Sequence, residues 1–184
     1  MTLSSAGMIT FKALKGGACS VTTTSSSFHV FPEKIEKDTW TFLSHPEEER
    51  ANKKIVSWPG EYDFAGISVR GVGQEAGRQV SYVCHVENVR LAFIDGPILE
   101  WTDGDIQKIG EIDVLVVAAD NPKKVLALVE AVDPRVIILF ETEKGDLAGT
   151  AKVCGMTKVE TSEEYKVKAG SLPQDSRQVV VLGA

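Results

Sequence analysis

Short apolar or β-branched runs separated by turn residues fill the first half of the chain. Met8–Leu14, Ala18–Thr24 and Phe28–Phe31 are punctuated by Gly16-Gly17 and Ser25-Ser26-Ser27, and Trp40–Leu43 and Lys54–Trp58 continue the style, so each predicts a strand. After turns at Pro59-Gly60 and Gly66, Ile67-Ser68-Val69-Arg70 alternates apolar with polar, the period of a strand with one buried face. Gln79–Val86 and Val89–Asp95 flank Glu87-Asn88, a two-residue connection that predicts a tight hairpin. The period then changes. Thr102 or Asp103 caps a predicted helix over Asp103–Ile109, with Ile106 and Ile109 three apart and Gly110 ending it. Val114–Ala118 is a continuous apolar run, as a parallel strand covered on both faces requires, and Arg135–Phe140 predicts another buried strand. Between them Asn121-Pro122 opens a helix whose Val125, Leu126, Leu128, Val129 and Val132 form a wide apolar stripe, and Asp133-Pro134 closes it. Leu147–Cys154 is a weaker helical stretch stopped by Gly155, and Gln178–Leu182 is a last strand. Strands first and strand–helix–strand units later fit mixed sheets with helices outside, an α/β or α+β arrangement.

Composition narrows the function classes. A chain of 184 residues suffices for one substantial core, and no shift in composition divides it, so a single domain over 1–184 is expected. A net charge of −6 with no run of Lys or Arg argues against a nucleic-acid surface. No stretch approaches the roughly 20 apolar residues of a membrane span, and MTLSSAGMITFKALKGG lacks the basic start and apolar core of a secretion signal. Cys19, Cys84 and Cys154 lie far apart with no CxxC, which predicts buried, reduced thiols in a cytoplasmic protein.

Several stretches together resemble the metallo-β-lactamase fold, in particular its small bacterial branch of uncharacterised metal-dependent hydrolases. WPGEYDFAGISVRGVG at 58–73 is similar to that branch's Gly-Pro-Gly-Glu-Tyr-Glu segment and the Gly-rich strand after it. Phe93-Ile94-Asp95-Gly96 resembles its Leu-Gly-Asp turn, and Gly110–Val117 its Gly-Asp-Val-Asp lead into a strand. Asp133–Ile138 resembles the strand before its last metal histidine, and Gly16-Gly17-Ala18-Cys19 stands where the family has a Gly-His-Ser-Cys type of turn. The resemblance runs in order along nearly the whole chain and implies an αββα sandwich of two mixed sheets with helices on the outer faces.

It also implies a metal centre, and here the chain departs from the pattern. The family's loop reads His-x-His-x-Asp-His, which aims ligands at two adjacent ions and positions a metal-bound water. The corresponding residues are Leu43-Ser44-His45-Pro46-Glu47-Glu48-Glu49-Arg50-Ala51-Asn52, where His45 fits the first position and the other ligands are absent. Val72–Arg78 offers no histidine, Glu141 stands where one is expected, and Asp95 alone matches the bridging carboxylate. With only His29, His45 and His85 in the chain, a histidine-rich dinuclear centre cannot be assembled.

Two readings of the loop follow. In one, Ser44 and Glu47 form a capping box and Pro46 with Glu47, Glu48 and Glu49 starts a helix, with no metal involved. In the other, His45, Asp95 and Glu141 converge on one divalent ion, and an oxygen-rich set favours Mn or Mg over Zn. Cys84 and His85 are neighbours on a strand and so point to opposite faces, and Cys19 has no base beside it. Trp101, just before a capped helix, is a candidate partner contact.

The expected function is therefore a pseudoenzyme: a non-catalytic binding or assembly protein with no cofactor, which self-associates as a homo-oligomer. Its vestigial cleft at Ser44, His45, Asp95 and Glu141 is open to a small ligand. The alternative is a hydrolase using the reduced mononuclear site.

Overall fold

The computed structural model describes residues 7–48 and 53–183. In chain order the described residues form β1 (Met8–Ala13), β2 (Cys19–Thr22), β3 (Ser27–Val30), β4 (Trp40–Phe42), β5 (Ile55–Val56), β6 (Gly60–Phe64), β7 (Ile67–Gln74), β8 (Gln79–Val86) and β9 (Val89–Ile94). Then come α1 (Asp103–Ile109), β10 (Val114–Ala118), α2 (Pro122–Val132), β11 (Val136–Phe140), α3 (Leu147–Val153), β12 (Thr161–Ser162), β13 (Glu164–Lys168) and β14 (Gln178–Leu182). One sheet runs β13-β1-β2-β3-β4-β5 and the other β12-β14-β11-β10-β9-β8-β7-β6. Both are mixed. In the second, β6 to β9 pair antiparallel, whereas β9, β10, β11, β14 and β12 pair parallel. The carboxyl ends of the parallel strands therefore share one edge, where a ligand site in such sheets is commonly built.

Local chemistry sets most boundaries. Glu87 and Asn88 have φ of 51° and 59°, the left-handed pair whose twist matches a two-residue hairpin between β8 and β9. Thr102 and Asp105 form a reciprocal capping box at α1. Asn121 accepts from the N–H of Lys124, Pro122 occupies the first turn, and α2 buries Val125, Leu128, Val129 and Val132. β10 and β11 are buried along their whole length, as continuous apolar runs require. The helices pack on one another and on the second sheet through α1 with β7 and α3 with β11.

One predicted element is absent. Residues 44–48 are not helical, and Glu49 lies outside the described residues. The hydroxyl of Ser44 is engaged by Asp95, and the N–H of Glu47 donates to Ser57 Oγ at 3.0 Å. Partners distant in sequence take the groups that a local cap would have used.

Tyr82 ties the two sheets. It is fully buried on β8 of the second sheet, and its hydroxyl reaches Leu43 O, just past β4, at 2.6 Å and Val56 O, in β5, at 2.9 Å, both in the first sheet's layer. Burial pushes its phenol well above the usual range, so it remains a donor. Phe28, Phe42, Phe64 and Phe93 complete an aromatic core between the sheets.

The WPG stretch is also a packing device. A Cβ on Gly71 would lie 2.7 Å from Trp58 O, and one on Gly73 would lie 2.6 Å from Pro59 Cγ, so β7 presents bare backbone on which Trp58-Pro59 lies. Tyr62 then donates to Trp58 O at 2.8 Å and holds the turn down. Among the described residues, no helix is long and apolar enough to cross a membrane.

Candidate functional site

The rim between the two sheets is assembled from the end of β4, the start of β8 and the ends of β9 and β10. Val80 N donates to Ser44 O at 2.8 Å and fixes the loop after β4 against β8. Ser44, only 8% exposed, gives its proton to Asp95 Oδ2 at 2.6 Å. The same oxygen lies 3.0 Å from His45 Nδ1. Because the hydroxyl's one hydrogen goes to Asp95, Nδ1 of the exposed imidazole carries its own hydrogen and donates to Ser44. Gly96 N donates to Asp95 Oδ1 at 2.8 Å, so both carboxylate oxygens are bonded within the chain. Buried Gln79 donates to Asp95 O and Pro97 O at 3.2 and 3.1 Å and holds the turn itself. At the end of β10, Asp120 accepts from Ile98 N at 2.9 Å.

Burial pushes the Asp95 carboxyl above its ordinary range. The bonds from Ser44 and Gly96 and the nearby His45 pull in the opposite direction, and Asp120 adds to the rise.

Two separate clefts open along this rim, and Phe31 and Pro32 line the one that holds Asp95. Phe31 is a non-glycine residue at φ 48°, nearly buried, with its ring against those of Tyr82 and Phe140. This first cleft, of about 290 Å³, is also lined by Ser44, His45, Asp95 and Glu47. The second, of about 330 Å³, is lined by Lys15, Gly17, Glu141 and Glu143. Gly17, on the second cleft, lies so close to the Phe31 backbone that a Cβ there would stand 2.5 Å from Phe31 O. Hence His45 and Asp95 meet through Ser44, whereas Glu141 lines the other cleft and does not join them.

A divalent ion fits these residues poorly. His45 and Asp95 supply only two candidate ligands in their cleft beside Glu47, Glu141 lines the other cleft, and the described residues contain no group of three His, Cys, Asp or Glu side chains able to hold an ion. Elsewhere, Cys19 and Cys84 are fully buried with their thiols pushed up by desolvation, unsuited to act as nucleophiles. His85, register partner of Ser68, lies exposed while Cys84 beside it is buried, the alternation expected of a strand. Phe31, Gln79, Tyr82 and Asp120 carry no motif and emerge as parts of the rim only in three dimensions. For Asp120 the available signal was its place just past a buried parallel strand.

No family model and no curated protein matches the chain. Solved structures do. One from Thermotoga maritima, assigned as a Zn-dependent hydrolase of the metallo-β-lactamase superfamily, superposes with a TM-score of 0.71 at 18% identity, covering 95% of this chain and 100% of that one. Another from Parabacteroides distasonis, assigned as a metal-dependent hydrolase, gives a TM-score of 0.60 at 9% identity over 96% and 93% of the two chains. A variant of the CmlA β-hydroxylase gives 0.57 at 6% identity over 87% of this chain and 54% of that one. With two mixed sheets, helices packed on the second, and these neighbours, the chain has the fold of the metallo-β-lactamase superfamily.

Proposed function

We propose that this chain is a non-catalytic binding or assembly protein on the metallo-β-lactamase fold, its former metal rim closed by hydrogen bonds within the chain. The observation that carries this reading is Asp95, the one residue matching a bridging ligand: Ser44 and Gly96 occupy its two oxygens at 2.6 and 2.8 Å. With both oxygens already drawn into bonds within the chain, an ion at this place would find only His45 beside Asp95, too few ligands for tight binding. The separate location of Glu141 weighs against the oxygen-rich mononuclear alternative as well. What the rim offers instead is a small cleft beside the exposed His45 imidazole, of a size for a small polar ligand.

Elemental analysis of the purified protein, followed by thermal shifts with Mn, Mg and Zn, tests the reading. The expected result is no stoichiometric metal and equal shifts for the wild type and His45→Ala. A stoichiometric ion that disappears in His45→Ala or Asp95→Asn overturns it in favour of a single-metal hydrolase.

A further inference from the structure

We infer that the groove between Trp101 and α2 is a two-fold interface that joins this chain to a second copy of itself. This specifies the assembly part of the reading above, on a surface remote from Asp95. The groove has a volume of about 460 Å³. Its floor is Leu128, 2% exposed, with the half-buried Trp101 alongside. The Trp101 indole N–H is buried and has no hydrogen-bond partner in the chain, although a buried indole N–H ordinarily finds one. Ala127 and Ala131, one helical turn apart, are both exposed and form a low wall that another backbone can approach closely.

Charge selects the occupant. Lys123 and Lys124 lie exposed at one end of the groove, in the first turn of α2, where the helix dipole disfavours cations. Neither has an acidic partner among the described residues. Glu100 is exposed beside Trp101, also on the groove, and its carboxylate likewise has no partner there. An isologous interface must complement itself, each residue meeting its counterpart's neighbour across the axis. An apolar centre with opposite charges on its two walls does so: Glu100 of one copy faces the lysines of the other while the alanine walls meet.

Light scattering and sedimentation over a wide concentration range test the inference. The wild type is expected to dimerise reversibly. Ala131→Arg, a change at an exposed position that leaves the core intact, is expected to give a monomer with unchanged urea stability. Glu100→Lys alone, or Lys123→Glu with Lys124→Glu, is expected to weaken the dimer about tenfold or more by placing like charges together. Combining all three changes in one chain re-pairs the charges and is expected to restore it. A wild-type monomer at every concentration, or a dimer indifferent to Ala131→Arg and to both reversals, overturns the inference and leaves the groove to a different occupant. These outcomes are independent of the metal measurement.

Discussion

Replacing Asp95 by Asn tests whether this carboxylate behaves as a buried acid or as a metal ligand. In the folded chain burial holds its pKa above the ordinary value, whereas in the unfolded chain it titrates near about 3.9. The folded state therefore binds the proton more tightly. The resulting stabilisation is fully present below the unfolded pKa and is lost as pH rises through the folded one. Within that window the slope approaches about 1.4 kcal/mol per pH unit, the limit for one proton. Asn cannot titrate, yet it suits the same partners: its oxygen accepts from Gly96 N while its amide donates to Ser44, whose proton can turn to His45. Asp113 and Asp105, whose pKa values are lowered, shift both proteins' curves alike, so the difference between variant and wild type isolates Asp95. Urea denaturation followed by circular dichroism, from about pH 4 to pH 8, should show Asp95→Asn gaining on the wild type as pH rises and then levelling off. Parallel curves would refute the burial argument. A wild type that gains on the variant with rising pH would mean a depressed pKa, as expected beside a bound cation.

Tyr82→Phe keeps the ring but strips Leu43 O and Val56 O of their shared donor, and should cost about 1–3 kcal/mol in urea denaturation, with an unchanged midpoint ruling out the cross-sheet tie. Gly71→Ala drives a methyl against Trp58 O and should cost about 1–3 kcal/mol, accompanied by a change in tryptophan emission as the turn lifts. Ala65 is exposed at φ 47° in the turn between β6 and β7, followed by Gly66 at 77°. Ala65→Asn should raise stability by about 0.5–1 kcal/mol, measured by the same denaturation.

The buried strands and capped helices were legible because their determinants are local. β10 and α2 begin and end where the apolar run, Asn121-Pro122 and Asp133 say they should. β13 was not legible. Its EYKVK alternates, but Glu164, Lys166 and Lys168 are exposed and only Val167 is well buried, the composition of a guarded edge. Its partner, β1, lies at the other end of the chain. The Ser44 capping box misled for a related reason: the spacing is correct, but Asp95, 51 residues away, takes the hydroxyl first. At the site, matching residues to a pattern brought out His45 and Asp95, which the fold unites through Ser44. It could not reveal that Glu141 lines a different cleft from His45 and Asp95.

The bare strip of β7 beneath Trp58-Pro59 shows how an architecture can be specified apart from any chemistry. Its glycines answer to a steric demand that is indifferent to whether any reaction occurs nearby, so selection for a stable chain suffices to keep them. A search keyed to such a run will gather architectures, and the reaction must be decided separately from what surrounds Asp95.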